Sequence, residues 1–390
     1  MTDVRSLERL LVYKEDQHVG YLDRLPRGCR FSYTEDYLRS SEPRIALHLP
    51  KTPEGITQEG LANLPTYFAG LLPEGIMFQA VKTRIGAAAD DMFAILAATG
   101  RDAIGDIDVR IPGEENRELP PLNLEETTDY LQALLKDKTE ELRVAAIPGV
   151  QPKMSLGHLV RSTRRTAYIA KFEPPEFPGL VENEFAFMRF APICRVKAAE
   201  VKIESSVLLV SRFDRVYDKE AERIRKVHVE DMLQIMDLFP GSKYSFEYRD
   251  LLRAMRDLGV SKVTLLQALR LYVYSYIIGN GDLHAKNISL IFDPEFKEWT
   301  LAPAYDLLST LPYKDKLLDA ERMALALADE AFGRFTLQDF TELGAELDLT
   351  AEVVSDMVHA VTKMFSTTIA LLRPFPEGTM ETIYQRSRDL

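Results

Sequence analysis

Short apolar runs broken by polar turns through residues 10–50 predict strands at Leu10-Leu11-Val12-Tyr13, Val19-Gly20-Tyr21-Leu22, Phe31-Ser32-Tyr33 and Ile45-Ala46-Leu47-His48-Leu49. Glu15-Asp16-Gln17 reads as a polar turn between the first two. Helical spacing takes over at Tyr67, Phe68, Leu71 and Leu72, stopping at Pro73-Glu74-Gly75, and again over Met92 to Leu96, stopping at Gly100. Pro112-Gly113-Glu114-Glu115-Asn116 and Pro120-Pro121 mark a linker. Strand patterns return over 142–215, in Ile147 to Leu159, Tyr168 to Phe172 and Val207 to Val210, with a helix predicted over Glu182 to Ala191. Beyond 228 the pattern is helical: Asp231 to Leu238, Phe246 to Leu258, Val263 to Ile278, Glu321 to Asp329, Leu337 to Leu347 and Thr350 to Leu372. The stretch Val263 to Ile278 is apolar on every side, which predicts the centre of a lobe.

These elements predict an α+β fold with an N-terminal β-rich and helical subdomain over 1–112, a linker and connecting helix over 113–141, a β-rich small lobe over 142–215 and a helical large lobe over 216–390. With 46% hydrophobic and 28% charged residues among 390, the composition is that of a soluble globular protein. A net charge of -12 argues against a chain that coats nucleic acid by itself, so DNA is expected only through a partner. Cys29 and Cys194 are the two cysteines, and neither has metal-ligand spacing around it. No run of about 18 apolar residues occurs and no signal peptide opens the chain, so a cytoplasmic protein without a membrane segment is expected.

Directly after the apolar helix comes Gly279-Asn280-Gly281-Asp282-Leu283-His284-Ala285-Lys286-Asn287, with Asp282 and Asn287 five residues apart. That spacing matches a kinase catalytic loop, where the Asp takes a substrate hydroxyl proton and the Asn holds a metal ion. Asp306, nineteen residues beyond Asn287, stands where a kinase keeps the Asp that grips magnesium and the nucleotide phosphates. The residues argue for phosphoryl transfer, although Asn-Gly-Asp also serves as turn chemistry and Asp306 could cap a helix. On this reading Asp282 is the base, and Asn287 and Asp306 offer the oxygen donors that Mg2+ prefers. Lys286 is a candidate for stabilising charge on the transferring group, and His284 for a hydrogen bond or a proton.

Something must also hold ATP. Gly149, Val150 and Gln151 can turn tightly and present backbone N–H groups, with Lys153, to phosphate oxygens, or they can form a plain hairpin turn. Lys171, in an apolar strand, either holds phosphates under the orientation of Glu184 or faces solvent. Ser211, Arg212 and Phe213 follow the last strand of the small lobe, where the backbone can meet the adenine edge and Phe213 can cover the ring. Arg212 and Arg215 can equally make surface ion pairs.

With those motifs in order, the chain resembles the HipA family of bacterial toxin kinases over nearly its whole length. The likeness rests on Gly149 to Lys153, Glu182-Asn183-Glu184, Ser211 to Arg215, Glu230-Asp231 with Gln234, Gly279 to Leu290 and Pro303 to Leu307, and on Phe68 to Gly75 in the N-terminal part. The resemblance implies a protein-kinase-like bilobal fold and a serine/threonine kinase, the toxin of a toxin–antitoxin pair. It further implies phosphorylation of an aminoacyl-tRNA synthetase, typically the glutamyl enzyme, and a small HipB-like helix-turn-helix antitoxin whose complex with the toxin represses the operon. Carried over by position, Asp282 is the base, Asn287 and Asp306 bind magnesium, and Lys153 and Lys171 bind phosphates. Two departures stand out: Ala146 replaces the self-phosphorylated serine common in the family, and Ser211 replaces an acidic residue near the adenine. A small-molecule kinase of the aminoglycoside or choline type, and a non-catalytic co-repressor, are the competing readings.

Overall fold

The computed structural model describes residues 3–60, 63–88, 90–114, 153–161, 164–317, 320–327, 334–369, 372 and 375–390. It is an α+β fold whose chain divides into two compact units, one of residues 1–172 and 211–240, the other of 173–210 and 241–390.

The first unit opens with strands β1 (Arg9–Lys14), β2 (Gln17–Leu25) and β3 (Gly28–Tyr33), followed by helix α1 (Glu35–Arg39) and strand β4 (Ile56–Glu59). Helices α2 (Thr66–Gly70), α3 (Gly75–Ile85) and α4 (Met92–Thr99) and strand β5 (Ile107–Arg110) complete this stretch. The antiparallel sheet runs β4-β3-β2-β1-β5, with Leu10, Val12, Val19, Leu22 and Phe31 fully buried and the Phe31 ring 5.4 Å from that of Phe68. The segment 45–49, expected as a strand, is not one. Ile45, Ala46 and Leu49 are buried, but the N–H groups of Ile45 and Leu47 donate to Tyr33 Oη (3.0 Å) and Glu230 Oε1 (2.8 Å). Side chains thus take the bonds that a strand ladder would supply. The edge position goes instead to β4, a half-exposed strand with little apolar signal.

Strands β6 (Lys153–Arg161) and β7 (Arg164–Lys171) form a hairpin whose register sets Lys153 opposite Lys171. Helix α5 (Leu180–Phe190), strand β8 (Val201–Glu204) and all but the last residue of strand β9 (Val207–Ser211) then belong to the second unit. The chain returns to the first unit for strands β10 (Arg215–Asp218), β11 (Arg223–Lys226) and β12 (Val229–Asp231) and helix α6 (Met232–Ile235). A capping box starts α6: Asp231 accepts from Gln234 N, and the Gln234 side chain accepts from Asp231 N.

The remaining elements are helices α7 (Tyr248–Leu258) and α8 (Lys262–Ile278), strands β13 (Ser289–Asp293) and β14 (Glu298–Leu301), and helices α9 (Leu337–Glu346), α10 (Ala351–Thr368) and α11 (Glu377–Asp389). As its all-round apolar pattern predicts, α8 is the buried axis of the second unit. Its tyrosines keep their hydroxyls paired in this apolar setting: Tyr272 Oη donates to Leu325 O and Tyr274 Oη to Phe187 O, each at 2.7 Å. Residues 321–327 of the expected helix Glu321 to Asp329 are irregular, because outside donors take their carbonyls. Leu325 O accepts from Tyr272, Ala326 O from Tyr248 N (2.8 Å) and Glu321 O from Arg386 (2.6 Å).

Within the first unit, charged groups are buried in quantity. Arg212 Nε and Nη2 donate to the two oxygens of Asp214 (2.9 and 2.7 Å), and Nη1 and Nη2 also reach Asp102 Oδ2 (3.0 Å) and Ala103 O (2.8 Å). Arg215 bonds Asp214 Oδ2 (2.9 Å) and Asp102 Oδ1 (2.8 Å). A little further on, His228 donates from Nδ1 to Asp106 and from Nε2 to Glu230, each at 2.9 Å. A ring with both nitrogens facing carboxylates carries both protons. Burial pulls its pKa down, but Asp106 and Glu230 outweigh that and push it up to about 10.

Removing Arg212 from the first cluster strips the buried Asp214 carboxylate of its two-point partner and leaves it and Asp102 to Arg215. Arg212→Met is expected to destabilise the protein by about 3–5 kcal/mol, read from urea denaturation; a loss under about 1 kcal/mol, the scale of a surface pair, would contradict the buried network. For His228 the folded pKa lies above the ordinary value of 6.5, so its contribution is complete below that pH and is lost as pH rises through about 10. The stability gap between the natural chain and His228→Gln is therefore expected to narrow steadily between neutral pH and about 10. A gap that stays constant over that range would mean that His228 is held neutral.

Candidate active site in the second unit

Helix α8 delivers the chain to the candidate loop. Gly279 ends it with φ of 69°, a left-handed cap in which Gly279 N donates to Tyr276 O (3.1 Å) and Asn280 N to Ser275 O (2.8 Å). A side chain at 279 would also collide with Leu311, since a Cβ there would lie 2.5 Å from it. At Gly281 a Cβ would fall 2.7 Å from both Arg322 O and Thr310 Oγ1, so close packing alone demands glycine. Both glycines of the motif have local structural reasons.

Asn280 is fully buried and joins the two halves of the site. Its Oδ1 accepts from Asp282 N (3.1 Å), and its Nδ2 donates to Asp306 O (3.3 Å). Asn287 closes the loop from the other side, with Nδ2 donating to Asp282 O at 2.8 Å. That bond fixes the amide so that Oδ1 points elsewhere, as a metal-ligating oxygen requires. Asp282, Asn287 and Asp306, singled out by spacing, are therefore linked by three hydrogen bonds.

Asp306 has φ of 55°, a left-handed conformation that non-glycine residues adopt uncommonly and Asp more readily than most. The segment around it is held at several points. Ala304 N donates to Lys197 O (2.8 Å) and Ala199 N to Ala304 O (2.9 Å), while Ser309 exchanges two bonds with Asn183 of α5 (2.8 and 2.9 Å). Thr310 then returns to the loop: its N donates to Gly279 O (2.8 Å), and its Oγ1 accepts from Gly281 N (3.0 Å). Backbone strain of this kind persists only where the surroundings enforce it.

Among the other expected site residues, His284 and Lys286 are buried, and the Asp282 carboxylate is 43% exposed, 4.0 Å from His284 Nε2. Tyr305 Oη donates to Lys286 O at 2.8 Å, which fixes the backbone there. Lys171 ends β7 at 2% exposure, which overturns the solvent-facing alternative, and Glu184 on α5 is likewise buried. Gly149, Val150, Gln151 and Ala146 lie outside the described residues, whereas Lys153 lies in β6. Ser211 ends β9, and Phe213 is half-buried. Arg212 is a correction. Its guanidinium is buried among Asp102, Ala103 and Asp214, so it serves the first unit's charge network and is not available to a nucleotide, nor does it form the surface ion pair that was the alternative. Asn280, Thr310 and Tyr244, whose Oη donates to Asp282 Oδ1 at 3.1 Å, were not expected as site residues. Asn280 had a signal in its place beside Asp282; the other two had none, because their roles arise from contacts distant in sequence.

No group of three or more His, Cys, Asp or Glu suited to a metal occurs among the described residues. A magnesium ion bound by two protein oxygens, waters and nucleotide phosphates would leave no such group. None of the helices described is long and apolar enough to cross a membrane.

Comparison with known proteins identifies the lineage. The model of the HipA-like C-terminal domain matches residues 145–369, which include the whole of this site, and that of the HipA N-terminal domain matches residues 10–110. The chain belongs to the HipA family. It is 28% identical over 366 residues to Y4dM of Sinorhizobium fredii, itself named only as a candidate kinase, covering 86% of this chain and 84% of that one. It is 25% identical over 383 residues to the serine/threonine-protein kinase toxin HipA of Shewanella oneidensis, covering 88% and 85%. A solved Shewanella oneidensis structure of HipA with HipB and its operator DNA shares the fold, with a TM-score of 0.73 at 22% identity over 97% of this chain and 95% of that one. Within this HipA-family chain, the Asn280 bridge gives a first test. Asn280→Ala leaves a buried N–H at Asp282 and a carbonyl at Asp306 without their amide partner. The expected loss is about 1–3 kcal/mol in a denaturation experiment, and an unchanged midpoint would mean that water replaces the amide without cost.

Proposed function

We propose that this HipA-family protein is an ATP-dependent kinase that transfers the γ-phosphoryl group to a serine or threonine hydroxyl of a protein. The observation that carries the reading is the hydrogen-bonded linkage of Asp282, Asn287 and Asp306 through Asn280. In phosphoryl transfer the protein contributes mainly positioning and charge stabilisation. The partly exposed Asp282 carboxylate would accept the acceptor's proton as its oxygen attacks phosphorus, and ADP would leave with the electrons of the broken P–O bond. Asn287 Oδ1 and Asp306 would hold a magnesium ion, which neutralises phosphate charge when bound. Lys286, buried four residues after the base, is suited to the charge on the transferring group, and His284 to a hydrogen bond or a proton.

Lys153 and Lys171, at opposed positions in the β6–β7 register, are the proposed phosphate ligands. Glu184 is proposed to orient Lys171, and Gly149, Val150, Gln151, Ser211 and Phe213 to line the nucleotide. The physiological role we infer is that of a toxin paired with a HipB-like antitoxin, reaching operator DNA only in that complex and arresting growth in the cytoplasm by modifying an aminoacyl-tRNA synthetase. A relative named as a HipA toxin and a HipA structure solved with HipB and DNA support the toxin and antitoxin parts of this reading, while the synthetase acceptor rests on the family resemblance alone.

The deciding experiment is transfer of labelled phosphate from ATP to purified aminoacyl-tRNA synthetases. Asp282→Ala and Asp306→Ala are each expected to lower transfer by about 10²–10⁴-fold while circular dichroism stays unchanged. Near-normal transfer by a folded Asp282→Ala protein would remove Asp282 as the base.

A further inference from the structure

Tyr244 has no part in the roles described above. It is 50% exposed, yet its Oη donates a 3.1 Å hydrogen bond to Asp282 Oδ1, the oxygen of the proposed base. Its ring stands edge-on to His284 with centroids 5.3 Å apart, and Ala285 N donates to Lys243 O at 3.5 Å, so two further contacts tie the segment to the loop just after Asp282. Lys243 Nζ lies 5.3 Å from the same ring. Burial does not account for a half-exposed ring reaching over a carboxylate. A hydroxyl donating to the base is, however, the arrangement an acceptor must adopt before transfer.

We propose that Tyr244 is itself a phosphoryl acceptor, modified in cis by the site it covers; this rests on the kinase reading of Asp282. As Tyr244 Oη bonds to the γ-phosphorus of ATP, its proton passes to the Asp282 carboxylate, the bond from the γ-phosphorus to the bridging oxygen breaks, and ADP leaves with that electron pair. Asp282 then returns the proton to water. A tethered hydroxyl already at the base needs no binding step, and intramolecular placement of this kind outcompetes a free acceptor at ordinary concentrations. The product carries about two negative charges beside Asp282, with Lys243 placed to offset part of them. Repulsion from the carboxylate and occupation of the acceptor position both slow transfer to other proteins. The modified chain is a self-restrained kinase.

The test is incubation of the full chain with ATP and magnesium, followed by intact-mass and peptide mass spectrometry, in parallel with transfer to protein acceptors. The expected result is one phosphate per chain on Tyr244, formed at a rate independent of protein concentration and absent from Asp282→Ala. Asp282→Ala mixed with the natural chain is expected to stay unmodified, as a cis reaction requires. Transfer to other proteins should fall in proportion to the modified fraction and recover after phosphatase treatment. A chain that phosphorylates an external acceptor but leaves Tyr244 bare overturns the inference and spares the kinase reading. A chain that binds no ATP and labels nothing overturns both.

Discussion

A base and two metal-binding oxygens carried on separate stretches of chain act together only if the backbone between them cannot drift. The buried amide of Asn280 imposes that constraint. One end accepts from the backbone of Asp282 and the other donates to the backbone of Asp306, so the side-chain carboxylates of the two aspartates take no part in the bridge. A carboxylate or a hydroxyl at 280 could not do both, because the first only accepts when ionised and the second is too short to span two chains. Burial makes the arrangement strict, since an unpaired polar group at that depth costs more than the bond contributes. The two glycines, Thr310 and the Asn183–Ser309 exchange all act around this bridge and hold the second strand of it at a fixed distance from the first.

The charged cluster of the first unit obeys the same rule with larger stakes. Arg212 and Arg215 share Asp102 and Asp214, and His228 is flanked by Asp106 and Glu230. Each charge is costly there alone and tolerable only because its partners are in place. Residues 102–108 and 212–230 are far apart in sequence, so the cluster makes the packing of the N-terminal sheet and the segment after β9 an all-or-nothing matter. Hydrophobic contact would hold these stretches together without fixing their register; directional charge-assisted bonds fix it.

How much of this was legible in the sequence follows from which interactions are local. The apolar helix ending at Gly279, the strands β1 to β3, and the Asp282–Asn287 spacing depend on periodicity and on neighbours within a few residues, and each is where the pattern put it. The segment 45–49 and the stretch 321–327 have the periodicity of a strand and a helix, but Tyr33, Glu230, Tyr272, Tyr248 and Arg386 take their backbone bonds from elsewhere in the chain. No local pattern encodes that competition. The Arg-Phe-Asp-Arg motif shows the converse hazard: its place after a strand suggested adenine, whereas its arginines answer carboxylates more than a hundred positions away. Recognising a motif and knowing which of its side chains face the ligand are separate problems, and only the first is solved by spacing.

Asp282 itself lies on the boundary between what the fold fixes and what it leaves open. Its backbone is held on both sides, by Asn280 at the N–H and by Asn287 at the carbonyl, while its carboxylate remains partly exposed. A general base needs this division, because the peptide must be rigid for the proton to be met at the right angle and the oxygen must be reachable by a hydroxyl that arrives from outside. The same openness admits any hydroxyl within reach, and Tyr244 is within reach. A site that receives a foreign acceptor, as proposed here, is therefore exposed to capture by its own chain unless that chain is kept away. Here the ring contact with His284 and the bond from Ala285 to Lys243 hold the tyrosine in place over the Asp282 carboxylate. Competition between an internal and an external hydroxyl is thus built into the geometry of the loop, and its outcome depends on how tightly the external acceptor binds.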